Sequence, residues 1–157
     1  MEPLISLKDE WYTPALITDP LGHFDLDPAA PLIPHRRIAA REYTKTDDGL
    51  SLPWKGRVWL NPPFSHPAVR LFARRMAEHG DGIMLLLCRG FDAGWFQDDV
   101  LGKADAILFL RGRVRFIGPD GIAGRNAPLG TLLAAYGRDN ADILKTCGIN
   151  GTFIRLK

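Results

Sequence analysis

The sequence has little cysteine and no long apolar run, and both features limit the kinds of protein that it can encode. Its two cysteines, Cys88 and Cys147, have no second cysteine or histidine near them at the spacing of zinc ligands, so we expect free thiols and no metal site. No apolar stretch approaches the length of a membrane span, and the polar N-terminal residues do not form a secretory signal. We therefore expect a cytoplasmic protein without a membrane partner.

The chain also lacks a strong charge of either sign. Twenty basic and 18 acidic residues leave a net charge of +2, which permits a polyanionic partner but does not require one. The 157 residues, 46% of them hydrophobic, are enough for one domain with a substantial core and too few for two. Because there is no repeat, low-complexity tract or linker, we expect a single domain over residues 1–157.

Short apolar runs alternate with segments of helical spacing. Residues 58–60, 82–88 and 105–110 are typical of buried strands, whereas residues 67–78 have their apolar side chains at helical spacing. Further strands are predicted at residues 131–136 and 151–156, with short helices near 93–101 and 140–147. This order predicts an α/β fold with a mostly parallel sheet and right-handed crossovers.

The loop Asn61-Pro62-Pro63-Phe64 follows directly on the strand predicted at residues 58–60. The two prolines hold the chain extended, so the Asn61 amide and the Pro62 carbonyl should point outward beside the Phe64 ring. Ligands of open α/β sheets bind at such strand ends. Two acceptors beside a flat ring suit a planar amino group, such as that of adenine. The simpler alternative is that Pro-Pro only ends a strand.

Two segments before this loop are candidates for a nucleotide-like ligand. Thr13 and Pro14 suit the start of a short helix, with Thr13 as its N-cap, and they could form a pocket wall with the preceding aromatic residues. In the strand predicted at residues 24–27, Phe24 and Leu26 alternate with acids. An acid at the end of that strand can accept hydrogen bonds from an ammonium group or a ribose hydroxyl, although acids in turns are usually solvated.

Arg111, Arg113 and Arg115 alternate with small and apolar residues. An extended chain would place the three guanidinium groups on one face, and Arg125 follows in a glycine-rich turn. This pattern suits contacts with DNA phosphates, but a solvated face on an edge strand would have the same pattern.

Together these motifs resemble the small phage and prophage family of DNA N6-adenine methyltransferases. The resemblance covers residues 9–136 and rests on Trp-x-Thr-Pro, Phe-Asp-Leu-Asp-Pro, Asp-Asp-Gly-Leu, Val-Trp-Leu-Asn-Pro-Pro-Phe and Phe-Leu-Arg-Gly-Arg, in that order. It implies a Rossmann-like methyltransferase fold with an antiparallel strand near the C-terminus. It also implies S-adenosylmethionine as methyl donor, a flipped adenine in double-stranded DNA as acceptor, and the cytoplasm of a bacterial host as location.

The resemblance also assigns roles to individual residues. The catalytic loop would be Asn61, Pro62, Pro63 and Phe64. The donor would be held by Trp11, Thr13, Pro14, Asp25, Asp27, Pro28 and Asp48, with Asp48 at the donor's adenine.

Three features depart from the family pattern. Ala29-Ala30-Pro31 stands where many methyltransferases carry Gly-x-Gly, and Phe64 stands where tyrosine is common. The chain is also too short for a separate target-recognition domain, so we expect DNA readout from loops or from a second copy in a homodimer.

The sequence is also compatible with other methyl acceptors and with a non-catalytic role. The same loop would serve any planar amine, including cytosine N4 and a glutamine side chain of a protein. A degenerate methyltransferase fold that binds DNA or protein without catalysis would fit the missing glycines, whereas the intact Asn61–Phe64 loop argues against it.

Overall fold

A computed structural model of the protein describes residues 12–32, 36–118 and 123–157, without the side chains of residues 123–125. The strands are β1 Phe24–Asp27, β2 Ala39–Glu42, β3 Val58–Leu60, β4 Gly82–Leu87, β5 Ala106–Leu110, β6 Arg115–Ile117, β7 Ala123–Asn126, β8 Thr131–Tyr136 and β9 Gly151–Arg155. The α-helices are α1 Ala15–Thr18, α2 Ala68–His79 and α3 Arg138–Thr146; a 3₁₀ turn covers Asp19–Leu21 and a π-helix covers Phe96–Leu101.

Seven of the strands form one open sheet in the order β2-β1-β3-β4-β8-β5-β9, and β6 and β7 form a separate pair. The four strands β2, β1, β3 and β4 are parallel to one another. Strand β8 lies between β4 and β5 and is antiparallel to both, and β9 is antiparallel to β5. The predicted α/β class is confirmed, with parallel pairing in one half of the sheet and antiparallel pairing in the other.

Both faces of the sheet are covered, which explains why its central strands carry apolar side chains on both sides. On one face, Ile83 and Leu85 of β4 pack in a cluster with residues of α1 and α3. On the other face, Met84 and Leu86 pack in a cluster with α2 and the π-helix. Helix α2 contributes residues at the spacing i, i+3, i+4 and i+7, which places them on one side of the helix: Val69, Phe72, Ala73 and Met76.

Within the described ranges, no helix combines the length and apolar character needed to cross a membrane. The same ranges contain no group of three histidine, cysteine or acidic side chains arranged to hold a metal ion.

Candidate active site

The carboxyl ends of β1, β2, β3 and β4 meet at one edge of the sheet because these four strands are parallel. Asp27 ends β1, Glu42 ends β2, Asn61 follows β3 and Cys88 follows β4. Open α/β sheets bind their ligands at this kind of edge. The candidate site is therefore built from these four strand ends and the segments that pack on them.

The Asn61–Phe64 loop leaves the most deeply buried of these strands. All three residues of β3 are 0% exposed, and the strand lies between β1 and β4. Pro62 is buried, whereas Asn61 and Phe64 are half-buried. The Phe64 ring lies 6.5 Å from the Phe116 ring, and Arg89 Nη2 donates to the Phe64 carbonyl at 3.3 Å. The loop is thus supported both by strand β6 and by the segment after β4.

Thr13 contacts the loop directly. Its hydroxyl oxygen accepts a hydrogen bond from Asn61 Nδ2 at 3.1 Å, and Thr13 is only 5% exposed. The prediction that Thr13 caps α1 is wrong, because α1 begins one residue later, Pro14 is its N-cap and no side chain caps it. The hydroxyl binds Asn61 instead. Trp11, predicted beside it in the donor pocket, lies outside the described residues.

Strand β1 does not follow the regular alternation expected from its sequence. The N–H groups of Asp25 and Leu26 both donate to the Arg57 carbonyl, at 2.8 and 3.3 Å. Two successive residues of β1 therefore lie opposite a single residue, Arg57, which immediately precedes β3. This is the arrangement of a β-bulge. Phe24 consequently packs in the cluster beneath α1, and Leu26 packs on the opposite face of the sheet.

The bulge separates the two acids of β1. The Asp25 carboxylate accepts the Arg57 N–H at 2.7 Å, and His23 Nε2 lies 3.2 Å from it. The Arg57 N–H is the main reason that the pKa of Asp25 is lowered. Gly56 has φ +78°, and a Cβ there would overlap the Asp25 carboxylate. Asp25 therefore holds the turn that leads into β3, at the amino end of that strand.

Asp27, by contrast, lies at the carboxyl edge and is 2% exposed. Its Oδ1 accepts the Ala29 N–H at 3.2 Å, and it pairs in register with Glu42 of β2. Burial raises the pKa of Asp27 to about 8, and the neighbouring Glu42 adds to the increase. Glu42 was not predicted from the sequence to lie here. The signal was its position at the end of β2, which matches the position of Asp27 at the end of β1.

Asp48 lies in a turn that packs on the end of β1. A Cβ at Gly49 would overlap the Pro28 carbonyl, so only glycine permits this close approach. Asp48 has φ +59° and an exposed side chain, and its carboxylate accepts the Ser51 hydroxyl at 3.0 Å. The structure thus brings the turn of Asp48 beside Pro28, with the Asp48 side chain directed to solvent.

The arginine row is not extended along its whole length as predicted, because Gly112 has φ +78° in a bend at residues 111–112. Exposed and buried side chains alternate only from Arg113 to Phe116. Arg111, Arg113 and Arg115 are exposed, and Val114 and Phe116 between and beside them are buried.

Arg113 also supports the chain between β7 and β8. Its Nη1 donates to the carbonyls of Ala127 and Pro128, at 3.3 and 2.7 Å. Arg125 lies in β7, and its side chain is outside the described part of the protein.

A small pocket of about 130 Å³ lies beside the Asn61–Phe64 loop. Its lining includes Phe64, His66, Arg89 and Trp95, together with the apolar side chains of Val69, Leu86 and Leu87. The His66 and Trp95 rings meet edge to face, 6.3 Å apart. The loop therefore borders a recess with one aromatic wall and a cationic group.

Comparison with known proteins agrees with these features. A family model described as DNA N-6-adenine-methyltransferase (Dam) matches residues 3–132. A DNA N-6-adenine-methyltransferase of Escherichia phage T1 is 29% identical over 109 residues, which cover 65% of this chain and 45% of the relative. The match thus spans less than half the length of that curated relative. No solved structure matches the chain. Since the family model covers most of the 157 residues, the chain belongs to the DNA N-6-adenine-methyltransferase (Dam) family.

Proposed function

We propose that the protein transfers a methyl group from S-adenosylmethionine to N6 of adenine in double-stranded DNA. Residues 1–157 act as one Rossmann-like methyltransferase domain in this proposal, in the cytoplasm of a bacterial host. The observation that carries it is the Asn61–Phe64 loop at the carboxyl end of the buried strand β3, in a chain of this family.

The loop would receive the target base. Asn61 Oδ1 and the Pro62 carbonyl would accept the two hydrogens of the amine, and the Phe64 ring would stack on the flipped base. Adenine N6 is a weak nucleophile because its lone pair is delocalised into the ring. Two acceptors favour a pyramidal nitrogen and stabilise the positive charge that develops on it. The transfer would form a new N–C bond and break the S–C bond of the donor, and the nitrogen would then release its extra proton to water.

The strand ends beside the loop would hold the donor. S-adenosylmethionine supplies an electrophilic methyl group on a sulfonium, together with an ammonium group and ribose hydroxyls that need acceptors. Asp27 and Glu42 offer carboxyl groups on adjacent strands, and the buried Asp27 can become charged where a cation compensates for its lost hydration.

We assign supporting roles to the remaining donor residues. Trp11, Thr13 and Pro14 would form one wall. The turn of Asp48, which packs on Pro28, would reach the donor's adenine. Asp25 would act indirectly, by holding the turn before β3. Ala30, 4% exposed, would take the place of a glycine near the methionine part.

DNA would contact the exposed guanidinium groups of Arg111 and Arg115, joined by Arg113 and Arg125. Because Arg113 also binds two carbonyls of the protein, we assign it the support of the neighbouring loop as well. A homodimer would supply a second set of these contacts on duplex DNA.

The direct test incubates the purified protein with methyl-labelled S-adenosylmethionine and unmethylated duplex DNA. Nucleoside analysis by mass spectrometry is expected to find N6-methyldeoxyadenosine with the wild type, formed more slowly by on the order of 10²–10³ with Asn61→Ala. Methylation of cytosine N4 would refute the assignment of adenine N6 as the methyl acceptor. Donor binding in calorimetry without any methylated nucleoside would instead support a degenerate binding module.

A further inference from the structure

Arg89 lies beside the Asn61–Phe64 loop, on the side away from the two acids of the candidate donor site. It comes shortly after β4, at the carboxyl edge of the sheet, and its Nη2 donates to the Phe64 carbonyl at 3.3 Å. Since the strand order is β2-β1-β3-β4, the end of β3 separates Arg89 from Asp27 and Glu42, which end β1 and β2. An anion bound by Arg89 would therefore lie across the loop from these acids.

The guanidinium group of Arg89 has unused hydrogen-bonding capacity. An arginine side chain carries five N–H donors on one positively charged plane and no acceptor. In the part of the chain that the structure describes, the exposed Arg89 side chain makes one hydrogen bond, to the Phe64 carbonyl, and no ion pair with a carboxylate. The other N–H groups can therefore bind an acceptor from outside the protein while this bond is kept.

The surroundings of Arg89 suit the backbone of a nucleotide. Arg89 lines the recess of about 130 Å³ beside the loop. The Phe64 ring lies 6.5 Å from the ring of Phe116, and the residue before Phe116 is the exposed Arg115. Exposed guanidinium groups thus belong to both of the segments that contact this loop. A nucleotide whose base is flipped into the loop brings its flanking phosphates to the same place.

We propose that Arg89 binds a DNA phosphate next to the flipped nucleotide while it holds the Phe64 carbonyl. This inference rests on the proposed function of the loop and extends it to the backbone of the substrate. Phosphate oxygens are negatively charged acceptors, so they match the guanidinium group in both charge and hydrogen bonding. Contacts of this kind fix the position of a strand and carry no sequence information. Arg89 therefore positions the target nucleotide without selecting the recognition sequence.

Two substitutions separate the charge of Arg89 from its bond to the loop. Arg89→Gln keeps an N–H donor for the Phe64 carbonyl and loses the charge, whereas Arg89→Lys keeps the charge. Arg138→Gln is the matched control, because it removes the same charge from an exposed residue at the opposite edge of the sheet. That position follows from the pairing of Tyr136, shortly before Arg138, with Gly82 at the start of β4.

The first measurement is the affinity for labelled duplex DNA by fluorescence anisotropy, from about 50 to about 200 mM salt. Arg89→Gln is expected to weaken binding roughly tenfold at the lowest salt. It should also flatten the slope of log affinity against log salt by about 0.9, the contribution of one phosphate. Arg89→Lys should keep the slope, and Arg138→Gln should match the wild type. A wild-type slope in Arg89→Gln, or equal flattening in Arg138→Gln, would overturn the proposal.

A second measurement locates the phosphate. Duplexes are made with one uncharged methylphosphonate linkage, placed either 5′ or 3′ of the adenine that the wild type methylates. One of the two linkages is expected to lower kcat/KM of the wild type roughly tenfold and to cause no further loss in Arg89→Gln. Equal losses in the wild type and in Arg89→Gln with both linkages would show that Arg89 contacts neither phosphate and would refute the inference.

The donor carboxylate is the competing anion, and calorimetry with S-adenosylmethionine distinguishes it. Arg89→Gln should bind the donor as tightly as the wild type does, and a weaker affinity would assign Arg89 to the donor instead of DNA.

The two hypotheses fail in different ways. Absence of methyl transfer by the wild type would refute the proposed function. A wild type that methylates adenine, together with an unchanged salt slope in Arg89→Gln, would refute only the role of Arg89.

Discussion

Replacing Asp27 with asparagine should remove a pH dependence from the stability of the protein. Asp27 is 2% exposed, and its burial raises its pKa from the ordinary 3.8 to about 8. Asparagine resembles the neutral carboxyl group in shape and does not titrate. The wild type and Asp27→Asn should therefore differ in how their free energy of unfolding changes with pH.

The sign follows from which state holds the proton. Below about pH 4 the Asp27 carboxyl is protonated in both the folded and the unfolded protein, so the stability provided by the neutral buried carboxyl is fully present. Between there and about pH 8 only the folded state keeps the proton, and the free energy of unfolding falls as the pH rises. The slope approaches about 1.4 kcal/mol per pH unit, and the whole loss is on the order of 5 kcal/mol.

Urea unfolding of both proteins at several values between about pH 5 and pH 9 measures the difference, with Asp25→Asn as the matched control. Asp25 has a lowered pKa, so its contribution is present above its ordinary pKa and is lost only as the pH falls through acidic values. Its substitution should thus leave the slope between pH 5 and pH 9 unchanged. Parallel profiles for the wild type and Asp27→Asn would refute the reasoning.

Three further predictions concern other parts of the molecule. Asn61→Ala should slow methyl transfer by on the order of 10²–10³ and leave donor affinity in calorimetry unchanged; normal turnover would exclude the catalytic role. Changing Arg111 and Arg115 to glutamine should flatten the slope of log affinity for DNA against log salt by about one to two, and an unchanged slope would place DNA elsewhere. Asn140→Ala should cost roughly 1–3 kcal/mol in urea unfolding, because buried Asn140 accepts from Arg57 Nε; stability equal to wild type would contradict this.

The features that could be predicted from sequence are those encoded by neighbouring residues. The run at residues 58–60 and the prolines after Asn61 gave both the strand and its end, because proline restricts its own backbone and that of the residue before it. The alternation around Arg113 likewise predicted which side chains would be exposed. Both are local effects, and neither depends on where other parts of the chain lie.

Strand order depends on pairing between segments that are distant in sequence, so it was harder to predict. Strand β8 is inserted between β4 and β5 and is antiparallel to both. Every residue of β4 and of β8 is buried, so neither sequence shows the alternation that would mark a sheet with one solvated face. A continuous apolar run is compatible with either direction. The sequence therefore predicted a mostly parallel sheet without the means to place β8.

The two acids of β1 show most clearly why residues of a correctly predicted strand can differ in environment although the sequence treats them alike. In sequence Asp25 and Asp27 are equivalent, since each follows an apolar residue in an alternating pattern. Arg57, some thirty positions away, makes them different: its carbonyl accepts from two successive N–H groups of β1, and its own N–H binds Asp25. That bulge shifts the strand by one residue and leaves Asp27 buried beside Glu42 at the carboxyl edge. The chemistry of Asp27 is therefore set by a residue that no local pattern includes.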